Sequence, residues 1–472
     1  MSKKNHGGEL NKVLNTGDVL VVAFGAMIGW GWVVSSGQWI VSGGIIGTII
    51  GFIIGGLMIY FVGLCYAELT TAMPKCGGEH VFSYRAFGPI GSYICTWSII
   101  LSYIGVVCYE AVSFPTILQY LFPSMSKIYL YSICGFDVYL TWLLVAMAMA
   151  IIILVINIKG TKKAAKFQKV LTGIIAATGI MLVVGSVYSG NVDNVRNQMF
   201  VGNSNLRIFE NIIKVAIMTP FFFFGFDVIP QVAEEIKMPL KKLGKMMILS
   251  IIMAVTFYVF IVFAVGLVMD NREISKSMSE TGLVTADAMA RAFNSTNMAK
   301  VLIIGGLCGI VTSWNSFLIG GSRAIYSMAN SYMLPGKFGM LHKKHNTPVN
   351  ALLLIGSLSV ISPLFGRSML IWIVDAGNFA CCLAYCMVSL SFLILRKKES
   401  SMKRPYKVRN YKIVGTFAVI LSGSMAVMYI IPGTNCTMVW QEWIIVGGWT
   451  LLGLILAYLS KKKYKKNFSQ CH

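Results

Sequence analysis

The stretches GAMIGWGW, Gly25 to Trp32, and FFFFGFDVIP, Phe221 to Pro230, decide the fold of this chain. Each is an apolar run broken by glycine, deep inside a segment long enough to cross a bilayer. In hydrocarbon an unpaired N–H or C=O costs several kcal/mol, so a spanning helix unwinds only where the freed groups line a cavity or hold a ligand. Paired interruptions in two halves of one chain point to the binding site of a solute carrier.

The rest of the sequence agrees with a membrane setting. Of 472 residues, 56% are hydrophobic and only 12% charged, so most of the chain lies in runs that could not stay soluble. The expected class is an all-α polytopic membrane protein. A helix needs roughly 20 residues to cross ~30 Å of hydrocarbon. About twelve segments qualify: 17–38, 40–66, 90–113, 137–157, 168–188, 213–233, 246–268, 299–322, 350–366, 370–395, 413–431 and 442–460, hereafter spans 1 to 12.

The net charge of +22 does not mark a nucleic-acid partner, because the basic residues follow the loops rather than one domain. With the N-terminus inside, 31 of the 40 Lys and Arg fall on the cytoplasmic side. This is the positive-inside asymmetry, and it predicts that both termini are cytoplasmic. The tail KKKYKK, Lys461 to Lys466, is expected to anchor span 12 beside anionic lipid. No small-residue cleavage site follows the first apolar run, so span 1 is expected to remain in the mature protein. Eleven cysteines, most of them inside spans, show no metal-type spacing. Cys134 and Cys436 fall on the outer side and could pair, although free thiols are the expectation.

Spans 1 to 5 and 6 to 10 each begin with a broken helix, and parity inverts one set against the other. That is the layout of a 5+5 inverted repeat, with halves at about 15–190 and 210–395 in a transport core of residues 1–395. Residues 396–472 add a basic cytoplasmic loop, two C-terminal helices and the basic tail. Gly43, Gly47, Gly51 and Gly55 lie four apart on one face of span 2, where they would admit a neighbouring backbone. Gly305, Gly306 and Gly309 give span 8 a similar face.

Besides the two broken stretches, the chain carries FGFDVIPQVAEEIKMP (224–239), YAELTTAMPKCGGEHVFSYRAFG (66–88), GGSRAIYSMANSYMLP (320–335) and LRKKESSMKRPYKV (395–408). Together these resemble the amino acid/polyamine/organocation family of permeases, in the right order from about residue 15 to 410. The resemblance implies a twelve-helix carrier of the leucine-transporter fold whose substrates are amino acids or amines.

At the first break, Ala26, Ile28, Gly29, Trp30 and Gly31 are candidate binding residues, because N–H groups at a half-helix start would meet a substrate carboxylate. Members of the family usually read Gly, small residue, Gly here. Trp30 and Trp32 depart from that pattern and either reshape the pocket or point into a neighbouring helix. At the second break, Gly225 exposes carbonyls to an α-ammonium group. The resemblance nominates those of Phe221, Phe222 and Phe224, with the Phe221 or Phe222 ring as an aromatic gate. At least two of the five nearby phenylalanines are expected simply to pack.

Five residues are candidates for gating or coupling. Asp227 could touch a cationic substrate, exchange a proton or cap the following half-helix. Glu110 and Asp375 stand near the expected outer ends of spans 3 and 10 and could titrate or pair. Thr312 and Ser313 could offer hydroxyls to a sodium ion beside carbonyls of span 1, or bond their own helix. Some proton-coupled relatives place a lysine in span 5, whereas Leu171 to Val187 here contains none. All five histidines are expected in cytoplasmic loops or tails, and Glu68, Glu234 and Glu235 lie among Lys and Arg at the cytoplasmic mouth, where they could form gate salt bridges, with solvated charges the expectation.

No paired acids or nucleophile with a base suggest an enzyme, and no filter repeat or charge ring suggests a channel. The expected function is secondary active transport of an amino acid or related amine by alternating access in a bacterial inner membrane. Proton-coupled uptake or exchange is the expected mode. A nutrient sensor on a carrier fold, a sodium-coupled carrier and a polyamine carrier are the alternatives. No cofactor or metal is expected beyond a coupling H+ or Na+. The partners are a small substrate bearing amino and carboxylate groups and the lipid bilayer, with oligomeric state open.

Overall fold

The computed structural model describes residues 10–433 and 437–464, with only the backbone described at 124 and 367–369. Cys436, His6, His472 and the last two lysines of the basic tail therefore lie outside the described residues. Among the described residues, ten helices are long and apolar enough to cross a membrane. Two shorter apolar helices, Thr16–Met27 and Val349–Phe365, fall at spans 1 and 9.

Span 1 is in pieces: Thr16–Met27, then Gly31–Val34 and Ser36–Gly43. The first opens with a capping box between Asn15 and Asp18, which satisfies two otherwise unpaired N–H groups. Span 2 follows as Ile45–Ala72, span 4 as Leu140–Ile158, span 5 as Thr161–Ser189 and span 7 as Leu240–Val268. Span 6 runs as Asn205–Met218, a 3-10 turn Thr219–Phe223 and, after a gap, the single turn Val228–Gln231. Span 8 is Thr296–Asn330, span 10 Gly366–Lys398, span 11 Tyr411–Met428 and span 12 Trp440–Tyr464.

Close backbone approach organises the packing. The glycine face of span 2 receives span 6, with Gly47 against Ile212, Gly51 against Val215 and Gly55 against Thr219. The glycines of span 8 receive three different neighbours. Gly305 meets Thr178 of span 5, Gly306 meets the Trp30 ring, and Gly309 meets the Gly29 carbonyl. Span 8 is consequently the central post: 94% of its apolar window is buried, against 11% for span 12, whose leucines face outward. Trp97 and Trp449 stack at 4.3 Å to tie span 12 to span 3.

Four expectations need correction. Helix Glu79–Leu121 is longer than span 3 was drawn, and Gly88 (φ 78°) kinks it just before Pro89, where proline suits a first helical turn. Glu110 therefore sits well inside the span and not near its end. Span 8 runs past the expected boundary to Asn330, so Arg323 is an interior residue, 1% exposed. His80 is fully buried, bonded to Ser92 and Ser331 at 2.8 Å each. Glu68 and Glu235 are buried ion pairs rather than solvated charges. Glu68 meets Arg396 at 2.6 Å and Arg404 at 3.1 Å, and Glu235 meets Arg323 at 2.9 Å.

A hairpin, Tyr129–Ile133 with Phe136–Tyr139, precedes span 4, so the helix begins at Leu140 rather than at 137. Cys134 and Gly135 both have positive φ in its two-residue turn, the conformation that matches the twist of paired strands.

Candidate functional site

The two breaks face each other and touch. In span 1 the helix stops at Met27, and Ile28 leaves helical geometry (φ −102°, ψ 79°). The chain resumes only at Gly31. Among the described residues, the N–H groups of Gly29, Trp30 and Gly31 have no acceptor. In span 6 the carbonyls of Phe222, Phe223 and Phe224 have no donor among the described residues, while that of Phe221 accepts from the Phe224 N–H at 3.4 Å. Gly225 (φ 127°) turns the chain and lies on Ala26.

Between these ends lies a cavity of about 160 Å³. Of the candidate binding residues, Ala26, Gly29, Trp30, Gly31, Phe221, Phe222 and Phe224 line it, with Glu110 and Ser313. Ile28 and Gly225 stand behind the wall. The remaining lining includes Tyr258, Phe317, Val106 and Val374, residues that the sequence did not single out. The Phe222 ring lies over Gly31 and is wedged among Trp39 at 4.7 Å, Phe221 at 5.1 Å and Tyr258 at 6.1 Å. Phe223 and Phe226 are fully buried in packing. Trp30 presses into the glycine face of span 8 while one side of its ring lines the cavity. Trp32 is fully buried against Phe257 at 5.3 Å, and its carbonyl accepts from Thr285 at 2.8 Å.

Asp227 occupies the N-cap position of Val228–Gln231 but bonds none of that turn's N–H groups. Its carboxylate instead turns back. Oδ1 accepts from the Gly225 N–H at 2.9 Å and from Tyr385 at 2.8 Å, and Oδ2 accepts from Tyr103 at 2.5 Å. The aspartate thus braces the second break against spans 3 and 10, outside the cavity wall. Tyr103 and Tyr385 carry no sequence signal beyond being polar groups in mid-span.

The other candidates separate. Thr312 donates to the Gly309 carbonyl of its own helix at 2.9 Å. Asp375 faces Glu442 of span 12 rather than the cavity and accepts weakly from Asn378 at 3.5 Å. In span 5, Gln168 donates to Ser316 at 2.6 Å, and Ser316 donates to the Val22 carbonyl of span 1 at 3.2 Å.

Farther along spans 6 and 8 from the cavity, a buried polar cluster ties several elements together. Arg323 donates to Glu235 at 2.9 Å and to Thr161 at 2.7 Å, and Thr161 donates to Glu235 at 2.5 Å. The N–H groups of Val13 and Leu14 reach the Glu235 carbonyl at 2.8 and 2.9 Å. Gln231 bonds the buried Glu79 alongside. Spans 5, 6 and 8 and the N-terminal segment are locked together at this level.

A family profile described as amino acid permease matches residues 14–456. The chain is 25% identical to the branched-chain amino acid permease of Bacillus subtilis, over 97% of this chain and 94% of that protein. It is 24% identical to the methylthioribose transporter of the same organism, over 98% and 96% of the two chains. The aspartate-proton symporter of Bacillus subtilis is 24% identical over 98% of this chain and 86% of its own length.

Proposed function

The chain belongs to the amino acid permease family and is an amino acid transporter, and we propose that it carries neutral amino acids with apolar side chains by alternating access. The observation that carries this is the juxtaposition of unpaired N–H groups at Gly29 to Gly31 with unpaired carbonyls at the cavity-lining Phe222 and Phe224 across one small cavity. A zwitterion supplies the complement to both. Its carboxylate suits the N–H end and its ammonium the carbonyl end, with helix dipoles adding to each. The side chain then meets Met27, Val106, Phe317 and Val374, a wall that rewards apolar surface. The likeness to a branched-chain amino acid permease supports that class.

The basic face is cytoplasmic in this proposal, and the membrane is a bacterial inner membrane. The structure, closed at Arg323 and Glu235, then corresponds to a state shut toward the cytoplasm. Transport proceeds when that lock opens and the aromatic cover at Phe221 and Phe222 closes.

A thermal-shift screen of the purified protein against the common amino acids, polyamines and methylthioribose tests the substrate class, since a ligand raises apparent stability. Aliphatic amino acids are expected to give the largest shifts. Stabilisation by polyamines or methylthioribose alone would contradict the assignment. Counterflow in proteoliposomes, with trans substrate accelerating labelled uptake, tests the carrier mechanism.

A further inference from the structure

The cavity contains one acid with no cation to answer it. Glu110 is 5% exposed and lines the cavity about three turns before its helix ends at Leu121. A methyl group on Gly29 would stand 3.3 Å from its Oε1, and its Oε2 has no hydrogen-bond partner among the described residues. The lining includes no Lys, Arg or His.

The groups facing Glu110 from each packed element are few. Span 8 presents Ser313, whose Oγ lies 3.7 Å from the same methyl position on Gly29. Span 7 presents Tyr258, whose hydroxyl donates to the Met27 carbonyl at 3.1 Å. Tyr109 is its neighbour on span 3. Span 6 presents only phenyl rings, because Asp227 is turned to Tyr103 and Tyr385. Span 10 presents Val374, with Asp375 turned to Glu442.

Resting on the function proposed above, we propose that Glu110 carries the proton that is transported with the amino acid. The substrate carboxylate belongs at the N–H groups of Gly29 to Gly31, beside Glu110 Oε1. Two carboxylates that close in a poorly solvated cavity do not both stay ionised, and one proton between them removes the repulsion. Water on the open side supplies that proton to Glu110. The resulting O–H donates to a substrate carboxylate oxygen, so substrate and proton are bound as a unit. When the substrate leaves toward the basic face, the proton returns to water there. Coupling is reciprocal: substrate binding takes up one proton, and affinity falls as pH rises through the titration of Glu110, approaching tenfold per pH unit.

The test uses full-length protein in proteoliposomes with labelled L-leucine, comparing wild type, Glu110→Gln and Glu110→Asp. The amide of Gln is neutral at every pH and still donates. Glu110→Gln should therefore bind leucine in a thermal-shift assay and catalyse leucine counterflow. It should neither concentrate leucine under an inside-alkaline gradient nor show pH-dependent binding. Glu110→Asp, which still titrates, should keep gradient-driven accumulation at a reduced rate. The proposal is overturned if Glu110→Gln accumulates leucine with the wild-type pH profile. It is equally overturned if folded Glu110→Gln no longer binds leucine, since the ionised carboxylate would then be holding the ammonium group. Failure of the wild type to bind any amino acid would instead strike the function proposed above, and this inference with it.

Discussion

Gly225 lies directly on Ala26: a methyl group added to it would stand 2.6 Å from the Ala26 Cβ and 2.8 Å from the Ala26 carbonyl carbon. The unwound segment of span 6 therefore touches span 1 just before its own break. Two sets of freed peptide groups are held against one cavity by that contact.

Gly225→Ala should lower the melting temperature and abolish transport. The side chain would meet fixed backbone, and the φ of 127° suits glycine, with strain of about 1–3 kcal/mol for another residue. Gly447→Ala, with nothing within 4 Å of the new methyl, should behave as wild type. Normal uptake by Gly225→Ala would show that the breaks need not touch.

Gly31→Leu should eliminate substrate binding, because the added side chain enters the space of the Phe222 ring and of the substrate. Gly31→Ala collides with Phe222 alone, so combining it with Phe222→Ala should recover part of the affinity it loses. Such non-additivity is expected of residues in contact. A double variant as weak as the product of the two single losses would mean that the clash is not what matters at Gly31.

Asp227→Asn should cut stability and rate without moving the pH dependence of transport. The amide leaves one of the Tyr103 and Tyr385 hydroxyls facing a donor, which costs about 1–3 kcal/mol for a buried group. Since the carboxylate faces away from the cavity, pH dependence belongs to Glu110. A shifted pH profile in Asp227→Asn would return the aspartate to the coupling mechanism.

Arg323→Gln should open the lock on the basic face. It leaves Glu235 buried without its cation, a loss of about 3–5 kcal/mol. Cys76, 5% exposed and donating to the Arg323 carbonyl at 3.8 Å, is the reporter. In a variant retaining only that cysteine, a maleimide added from the basic side should label Cys76 faster once Arg323 is replaced. Unchanged labelling would mean that this cluster does not control access.

The breaks were legible because glycine inside an apolar run has few uses in a bilayer, and the glycine face of span 2 was legible because a spacing of four is one face of a helix. Side-chain direction was not. Asp227 reads as a cap by position, yet two tyrosines from distant spans turn it backward. Asp375 lies next to Val374, which lines the cavity, but its own side chain faces span 12. Glu68 reads as a charge beyond the end of span 2 and Arg323 as one beyond span 8, because hydropathy ends those helices too early. Buried ion pairs that extend a helix past its apolar stretch defeat that criterion.

A structure of the protein bound to leucine bears most directly on whether released peptide groups grip the solute. The carboxylate oxygens should lie about 2.7–3.2 Å from N–H groups of Gly29 to Gly31, and the ammonium at similar distances from carbonyls of Phe222 and Phe224. A leucine bound elsewhere, or held at both charged ends by side chains, would contradict the mechanism.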